Sequence, residues 1–308
     1  MNIFKFKFYL GGFVKFYTTQ EYAKLKDVDD STVKKWSSEK KIKSYNIHHR
    51  LSNLVLEKDN NKTSIISFMN LKGGAGKTTL AAHFASLLSK VGFKVLLVDT
   101  DHQNQCKLFF PEQSYEYAIN DILNNEIDVS KGIYKVSTHD STLDIIYSSY
   151  ALALFARNYK NLDGFYEMIN KIKDNYEFII VDTSPNFDII NHNVANTVTH
   201  IIIPVIPTNM HIEGISHQIE ALQNIANIPL ERIIGILPNA VNEKTIEHPT
   251  YVEYLHSEYK EGVYEHKIPF DPWLEKVTTY KTNIFDYREK SKASQSLKKA
   301  VWETLRRL

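Results

Sequence analysis

The chain has 308 residues, 43% of them hydrophobic, which suits one large α/β domain with a small appendage. Its single cysteine, Cys106, excludes an internal disulfide framework, a CxxC redox pair and any four-cysteine metal or iron–sulfur site within one chain, so a reducing cytosol is the expected compartment. The formal charge of +1 hides a segregation that favours an anionic polymer or membrane surface as partner: residues 1–62 carry thirteen Lys and Arg against seven Asp and Glu, residues 286–308 carry seven against three, and the body between them is acidic.

Residues 1–12 alternate apolar side chains with Lys5 and Lys7 instead of forming the apolar run of a signal peptide. No later stretch approaches the roughly 18 to 20 apolar residues of a membrane span, and a soluble protein is expected. Thr18 or Thr19 caps a predicted helix over 20–26, and Asp30 or Ser31 caps a second over 32–39. Two short helices joined by a tight turn, followed by apolar residues near 47 and 51–56, predict a winged helix-turn-helix over residues 1–60. Lys34, Lys35, Lys40, Lys41 and Lys43 cluster on and after the second helix, with Ser31 and Thr32 at its start, and these are the candidate DNA contacts of this block. A small helical cap over the main domain is the alternative. Val33 and Trp36 read as core.

The polar stretch 57–64 reads as a linker into a second domain, 61–308. There, runs rich in β-branched residues at 65–69, 94–98, 143–147, 178–181, 200–205 and 233–237 alternate with helical patterns at 77–91, 163–175, 214–225 and 291–308. Strands that are apolar at nearly every position, separated by helices, predict a doubly wound, mostly parallel sheet covered on both faces.

The first of these strands leads into Lys72-Gly73-Gly74-Ala75-Gly76-Lys77-Thr78-Thr79, immediately before a helix, which is the context of a phosphate-cradling loop. Glycines let the backbone approach phosphates closely. Lys77 then neutralises the β- and γ-phosphates, and the Thr78 hydroxyl is a candidate Mg²⁺ ligand. Leu71 stands where the general phosphate-loop pattern has glycine, so Lys-Gly-Gly-x-Gly-Lys-Thr is the pattern that fits. By average amino-acid usage, six specified residues arise by chance in roughly one in 10⁴ to 10⁵ chains of this length. Asp99 and Asp101 fall on alternate residues at the end of the next strand, where open α/β sheets bind ligand. Asp182 ends an apolar strand in the Walker-B arrangement and is a candidate Mg²⁺ holder, through water.

The three motifs resemble those of the ParA/MinD group of deviant Walker-A ATPases, in particular the plasmid-partition ParA proteins, over about residues 64–308. The resemblance implies ATP and ADP with Mg²⁺ as ligands, and a homodimer formed on ATP in which Lys72 reaches the partner's phosphates. A second cation at the γ-phosphate stabilises transition-state charge, and one supplied by another subunit makes hydrolysis depend on dimerisation. It further implies that Asp101 positions water, that Asp99 touches the Mg²⁺ surroundings or the switch region, and that Asn239 and Pro269 contact the base. His102 and Ser184 stand where the family commonly has proline.

Residues 17–23 with Val28 and Thr32-Val33-Lys34-Lys35-Trp36 are similar to the helix-turn-helix of MerR-like and excisionase-like proteins. In the last helix Leu297, Val301, Leu305 and Leu308 share a face, which describes either a docked terminal helix or a membrane-surface helix of the MinD kind. If docked, it leaves Arg288, Lys290, Lys292, Lys298 and Lys299 exposed for DNA phosphates. The expected function is a cytoplasmic, nucleoid-associated partition ATPase, stimulated by a ParB-type centromere-binding protein, with autoregulation through the N-terminal block. The rivals are a MinD-like membrane-positioning ATPase and a transcriptional regulator switched by nucleotide.

Overall fold

The computed structural model describes residues 14–39, 44–45, 54–58, 63–138, 141–224 and 227–308. It begins with strand β1 (Val14–Thr18), helices α1 (Thr19–Leu25) and α2 (Asp30–Ser38), and short strands β2 (Ser44–Tyr45) and β3 (Leu54–Lys58). The strands form an antiparallel sheet in the order β1-β3-β2. A capping box starts α1: the Thr18 hydroxyl accepts the Glu21 N–H at 3.1 Å, and Glu21 accepts the Thr18 N–H at 2.8 Å. The α2 cap is Asp29, one residue before the expected Asp30, and its carboxylate accepts the Thr32 N–H. Tyr22, Ala23 and Val33 are buried against one another, with Tyr17, Val28 and Trp36 packed around them.

The expected linker is shorter than the sequence suggested. Glu57 and Lys58 lie in β3, paired with Lys15 and Val14, and Ser64 already begins β4 (Ser64–Phe68). Strand β1 gave no signal of its own because its partner, β3, lies some forty residues downstream.

The remainder runs α3 (Lys77–Lys90), β5 (Val95–Asp99), α4 (Ile119–Leu123), β6 (Tyr134–Ser137), β7 (Thr142–Ile146), α5 (Leu152–Asn158), α6 (Gly164–Ile172) and β8 (Phe178–Asp182). It continues α7 (Ile189–Thr197), β9 (His200–Val205), α8 (Asn209–Asn224), β10 (Ile233–Pro238), α9 (Glu247–Tyr259), α10 (Trp273–Thr279), α11 (Ile284–Tyr287) and α12 (Lys292–Arg307). Seven strands make one sheet in the order β10-β9-β4-β8-β5-β7-β6, parallel throughout except where β6 pairs antiparallel with β7.

Alternate strand residues serve opposite faces, as the two-residue period requires. Ile66, Phe68, Val95, Leu97, Phe178 and Ile180 point into a core with Phe84, Leu88, Leu297, Val301 and Leu305 of α3 and α12. Ile65, Leu96, Val98, Ile179 and Val181 point into a second core with Phe165, Val194, Ile215 and Leu255 of α6 to α9. The mostly parallel sheet with both faces covered is the architecture expected.

Helix α12 is docked. Leu297, Val301, Leu305 and Leu308 are all buried, the Tyr264 hydroxyl meets the Thr304 hydroxyl at 2.9 Å, and the Arg307 guanidinium donates to the carbonyls of Ile234 and Val263. Among the described residues no helix is long and apolar enough to cross a membrane.

Candidate functional site

The register of three neighbouring strands builds the site. Asp182 lies opposite Phe68 on one side and opposite Asp99 on the other, so β4, β8 and β5 end together. The phosphate loop leaves β4 here and turns directly into α3. Asn70 pins its entry, the side chain donating to the Pro204 carbonyl at 2.7 Å and accepting the Lys72 N–H at 2.8 Å, while Gln218 of α8 accepts the Leu71 N–H at 2.7 Å. Gly74 and Gly76 have φ of 77° and 86°, the left-handed region that glycine enters without strain. Gly76 is also the N-cap of α3, with no capping side chain, so the first N–H groups of the helix are left for an anion.

The two lysines of the loop occupy different surroundings. Lys77 is buried, and its ammonium donates to the Asn70 carbonyl at 3.0 Å and to the Lys72 carbonyl at 3.4 Å. Burial lowers its pKa, and Asp182 and Asp101 pull it back upward. Lys72 is half-buried at the loop entry and runs along α8, where a Cβ at Gly214 would lie 3.3 Å from its Cε. Among the described residues no carboxylate pairs with it. Thr78 and Thr79 start α3 half-buried, Ala75 is buried, and Gly73 is exposed.

Asp99 and Asp182 are completely buried and Asp101 nearly so. Asp99 accepts the N–H groups of Asp101 (3.0 Å) and Cys106 (3.2 Å), yet its pKa is well above the usual carboxylate range because of burial and then the neighbouring Asp182. Burial also raises Asp182, with the Thr78 hydroxyl acting against the rise and Asp101 adding to it. One Asp182 oxygen is buried without a hydrogen-bond partner among the described residues. A buried, unsatisfied carboxylate oxygen beside a threonine hydroxyl is a donor set that a hard divalent cation satisfies, so the residues fit Mg²⁺. Asp101 accepts the Gln103 N–H at 2.9 Å, with His102 at 3.5 Å.

Asn239 lies across the loop, its side-chain amide donating to the Ala75 carbonyl at 2.9 Å. Pro269 comes alongside through a parallel bridge to Val241. The candidate DNA contacts lie elsewhere. Ser31 and Thr32 are tied to the Asp29 carboxylate, and exposed Lys34 and Lys35 pair with Asp30 and Glu39. Lys40, Lys41 and Lys43 fall outside the described residues. Arg288, Lys290, Lys292 and Lys299 are exposed, the Arg288 guanidinium 4.2 Å from the centre of the Trp273 ring. Lys298 corrects the sequence reading: it is buried, 6% exposed, and bound to Glu289 at 2.8 Å, because its position on α12 turns it toward the preceding loop. The sequence reading also missed Asn70, Gln218 and Cys106. No pattern of spacing marks them, since each acts through a contact made only in the fold.

A phosphate loop between a central strand and its helix, with an aspartate ending the adjacent strand, defines a P-loop ATPase. Residues 63–233 match the AAA domain family, and the chain belongs to it. It is similar to the virulence plasmid ParA family protein pGP5-D of Chlamydia psittaci, 26% identical over 238 residues that cover 75% of this chain and 90% of that one. It is similar also to the sporulation initiation inhibitor protein Soj of Bacillus subtilis, 27% identical over 244 residues, covering 75% and 94%. Among solved structures, a putative plasmid partition protein from Borrelia burgdorferi B31, bound to AMPPNP, superposes with a TM-score of 0.70 at 23% identity, covering 80% of this chain and all of that one. The resemblance to the ParA/MinD group carried by the phosphate loop is borne out by these relatives.

Proposed function

We propose that the protein is an ATP-dependent DNA-partition ATPase. In this reading residues 61–308 bind ATP or ADP with Mg²⁺ held at Thr78 and Asp182 and Asp99 close by, Asp101 orients the attacking water, and Asn239 and Pro269 flank the base. ATP joins two copies, the pair holds arbitrary duplex DNA, and a ParB-type centromere-binding protein stimulates hydrolysis and releases it. Residues 1–60 bind DNA as a winged helix-turn-helix and tie expression to the same protein. The protein is cytoplasmic and associated with the nucleoid.

The observation that carries this reading is the contrast between the two lysines. Lys77 is buried inside the loop and serves the nucleotide bound by its own chain. Lys72 is half-buried beside α8 with no carboxylate partner among the described residues, and is left to serve a phosphate brought by a second chain. Against a membrane role stands the docked α12, whose apolar face is already buried.

Light scattering after size exclusion is expected to give a dimer with ATP and Mg²⁺ and a monomer with ADP. Lys72→Ala is expected to keep ATP binding and to lose stimulated turnover by at least roughly tenfold, since a cation supplied in trans can contribute about 10³ or more. Stimulated turnover unchanged in that variant would remove the mechanism.

A further inference from the structure

Cys106 has no role in the chemistry above, yet it lies among the buried carboxylates. It opens the short 3₁₀ turn Cys106–Phe109 after β5, which drops its side chain between the ends of β5 and β8. Its sulfur is 3.4 Å from one Asp182 oxygen, and its N–H donates to Asp99 at 3.2 Å. One donor atom from each of Asp99, Cys106 and Asp182 can be chosen so that all lie within 4.8 Å of one another, and all three residues are buried. The second Asp182 oxygen is buried with no hydrogen-bond partner among the described residues, so the cluster contains an acceptor that nothing yet satisfies.

We infer that Asp99, Cys106 and Asp182 form a site for a thiophilic divalent cation of the zinc class, beneath the phosphate loop. Metal–ligand bonds of about 2.0 to 2.3 Å place tetrahedral ligands roughly 3.3 to 3.8 Å apart, and the sulfur–oxygen separation already lies in that range. Two like-charged carboxylates held out of water are poorly tolerated, and a divalent ion between them relieves both. Mg²⁺ takes oxygen donors, whereas a thiolate selects zinc and similar softer ions. Binding releases the Cys106 thiol proton to solvent as the sulfur–metal bond forms, together with any proton that the buried Asp99 and Asp182 carboxyls carry. Because the site shares Asp182 with the proposed Mg²⁺ position, an ion held here withdraws that carboxylate from Mg²⁺ and inhibits hydrolysis. The inference rests on the proposed nucleotide site only through Asp182 and the nearby Asp99.

The test uses Co²⁺ in place of zinc on the full, nucleotide-free chain. The chain has one cysteine, so a thiolate-to-cobalt charge-transfer absorption reports Cys106 alone, whatever the twelve histidines bind. The expected result is an absorption that saturates at one ion per chain, disappears on adding Zn²⁺, and is absent in Cys106→Ser and Cys106→Ala, each checked for folding by circular dichroism. Asp182→Asn is expected to weaken Co²⁺ binding by at least roughly tenfold, since even residues behind the ligands change metal affinity by that much. Zinc inhibition, read against each variant's own Mg²⁺–ATP rate, should be relieved in Cys106→Ser. No charge-transfer absorption in the unmodified chain overturns the inference, as does one undiminished in both Asp99→Asn and Asp182→Asn. Either outcome leaves the Mg²⁺ reading standing, because that reading is checked separately by Mg²⁺-dependent hydrolysis.

Discussion

Gly76 concentrates two demands in one residue. Its φ of 86° excludes ordinary side chains at a cost of roughly 1–2 kcal/mol, and a Cβ there would lie 2.2 Å from the Asn239 amide nitrogen. Gly73, three residues earlier in the same loop, has open space around the same position and no left-handed φ. Alanine should therefore separate them. Gly76→Ala is expected to lower the melting temperature by roughly 2–8 °C and to weaken nucleotide binding at least tenfold, whereas Gly73→Ala should melt within about 2 °C of the parent. Equal shifts for the two variants would show that the loop is not held by the Asn239 contact. The glycines, lysines and aspartates were legible because their chemistry demands fixed residue types at fixed spacing. Asn239 was legible only by resemblance, and the contact that explains it, with Ala75, joins positions 164 residues apart.

At the scale of elements, the strands read most easily. All six central segments expected from β-branched runs are strands, with ends displaced by about one residue, because burial on both faces leaves an unbroken apolar run. The edge strand β6, Tyr-Lys-Val-Ser, buries only Val136 and so carried no such signal. Short α11 was equally invisible, since much of its anchorage comes from another helix. The fully buried His83 of α3 presents Nδ1 to the Thr79 carbonyl at 2.6 Å and accepts the Ile284 N–H on Nε2 at 3.1 Å, linking the helix behind the phosphate loop to α11. That pairing makes Nδ1 the protonated nitrogen of a neutral ring, and burial lowers its pKa to about 4. The unfolded chain takes up a proton near pH 6.5 and the folded one does not, so falling pH favours unfolding through this residue. The stability advantage of the parent over His83→Gln should be full above pH 6.5, shrink by roughly 3 kcal/mol toward pH 4, and stay level below, at about 1.4 kcal/mol per pKa unit. Comparing the two proteins cancels the opposite contribution of Asp99 and Asp182. A urea-midpoint difference constant across that window would place the charge change elsewhere.

The whole molecule shows what local patterns could not supply. The sequence indicates a parallel sheet, but the order β10-β9-β4-β8-β5-β7-β6 depends on where each crossover lands, and only that order sets Asp99 beside Asp182. The same holds for the basic ends, which the sequence offers as two separate clusters. In the fold they meet at one point: Arg306, in the last turn of α12, pairs with Glu21 of α1 at 3.1 Å, at the opposite end of that helix from Lys292. The pair is half-exposed and adds little stability by itself. The two kinds of DNA binding proposed above are separable by charge reversal. Changing Lys290, Lys292 and Lys299 together to Glu is expected to weaken the ATP-bound protein on arbitrary duplex DNA, and to flatten the slope of log affinity against log salt by up to about 2.7, at about 0.9 per lost phosphate contact. Lys34→Glu with Lys35→Glu should leave that slope nearly unchanged and weaken binding to the protein's own upstream region, if α2 reads base edges. Fluorescence anisotropy across a salt series distinguishes the cases. A slope unaltered by the triple change would remove the start of α12 as a phosphate surface, and equal losses on both DNAs from the α2 pair would make the N-terminal helices a general cationic arm.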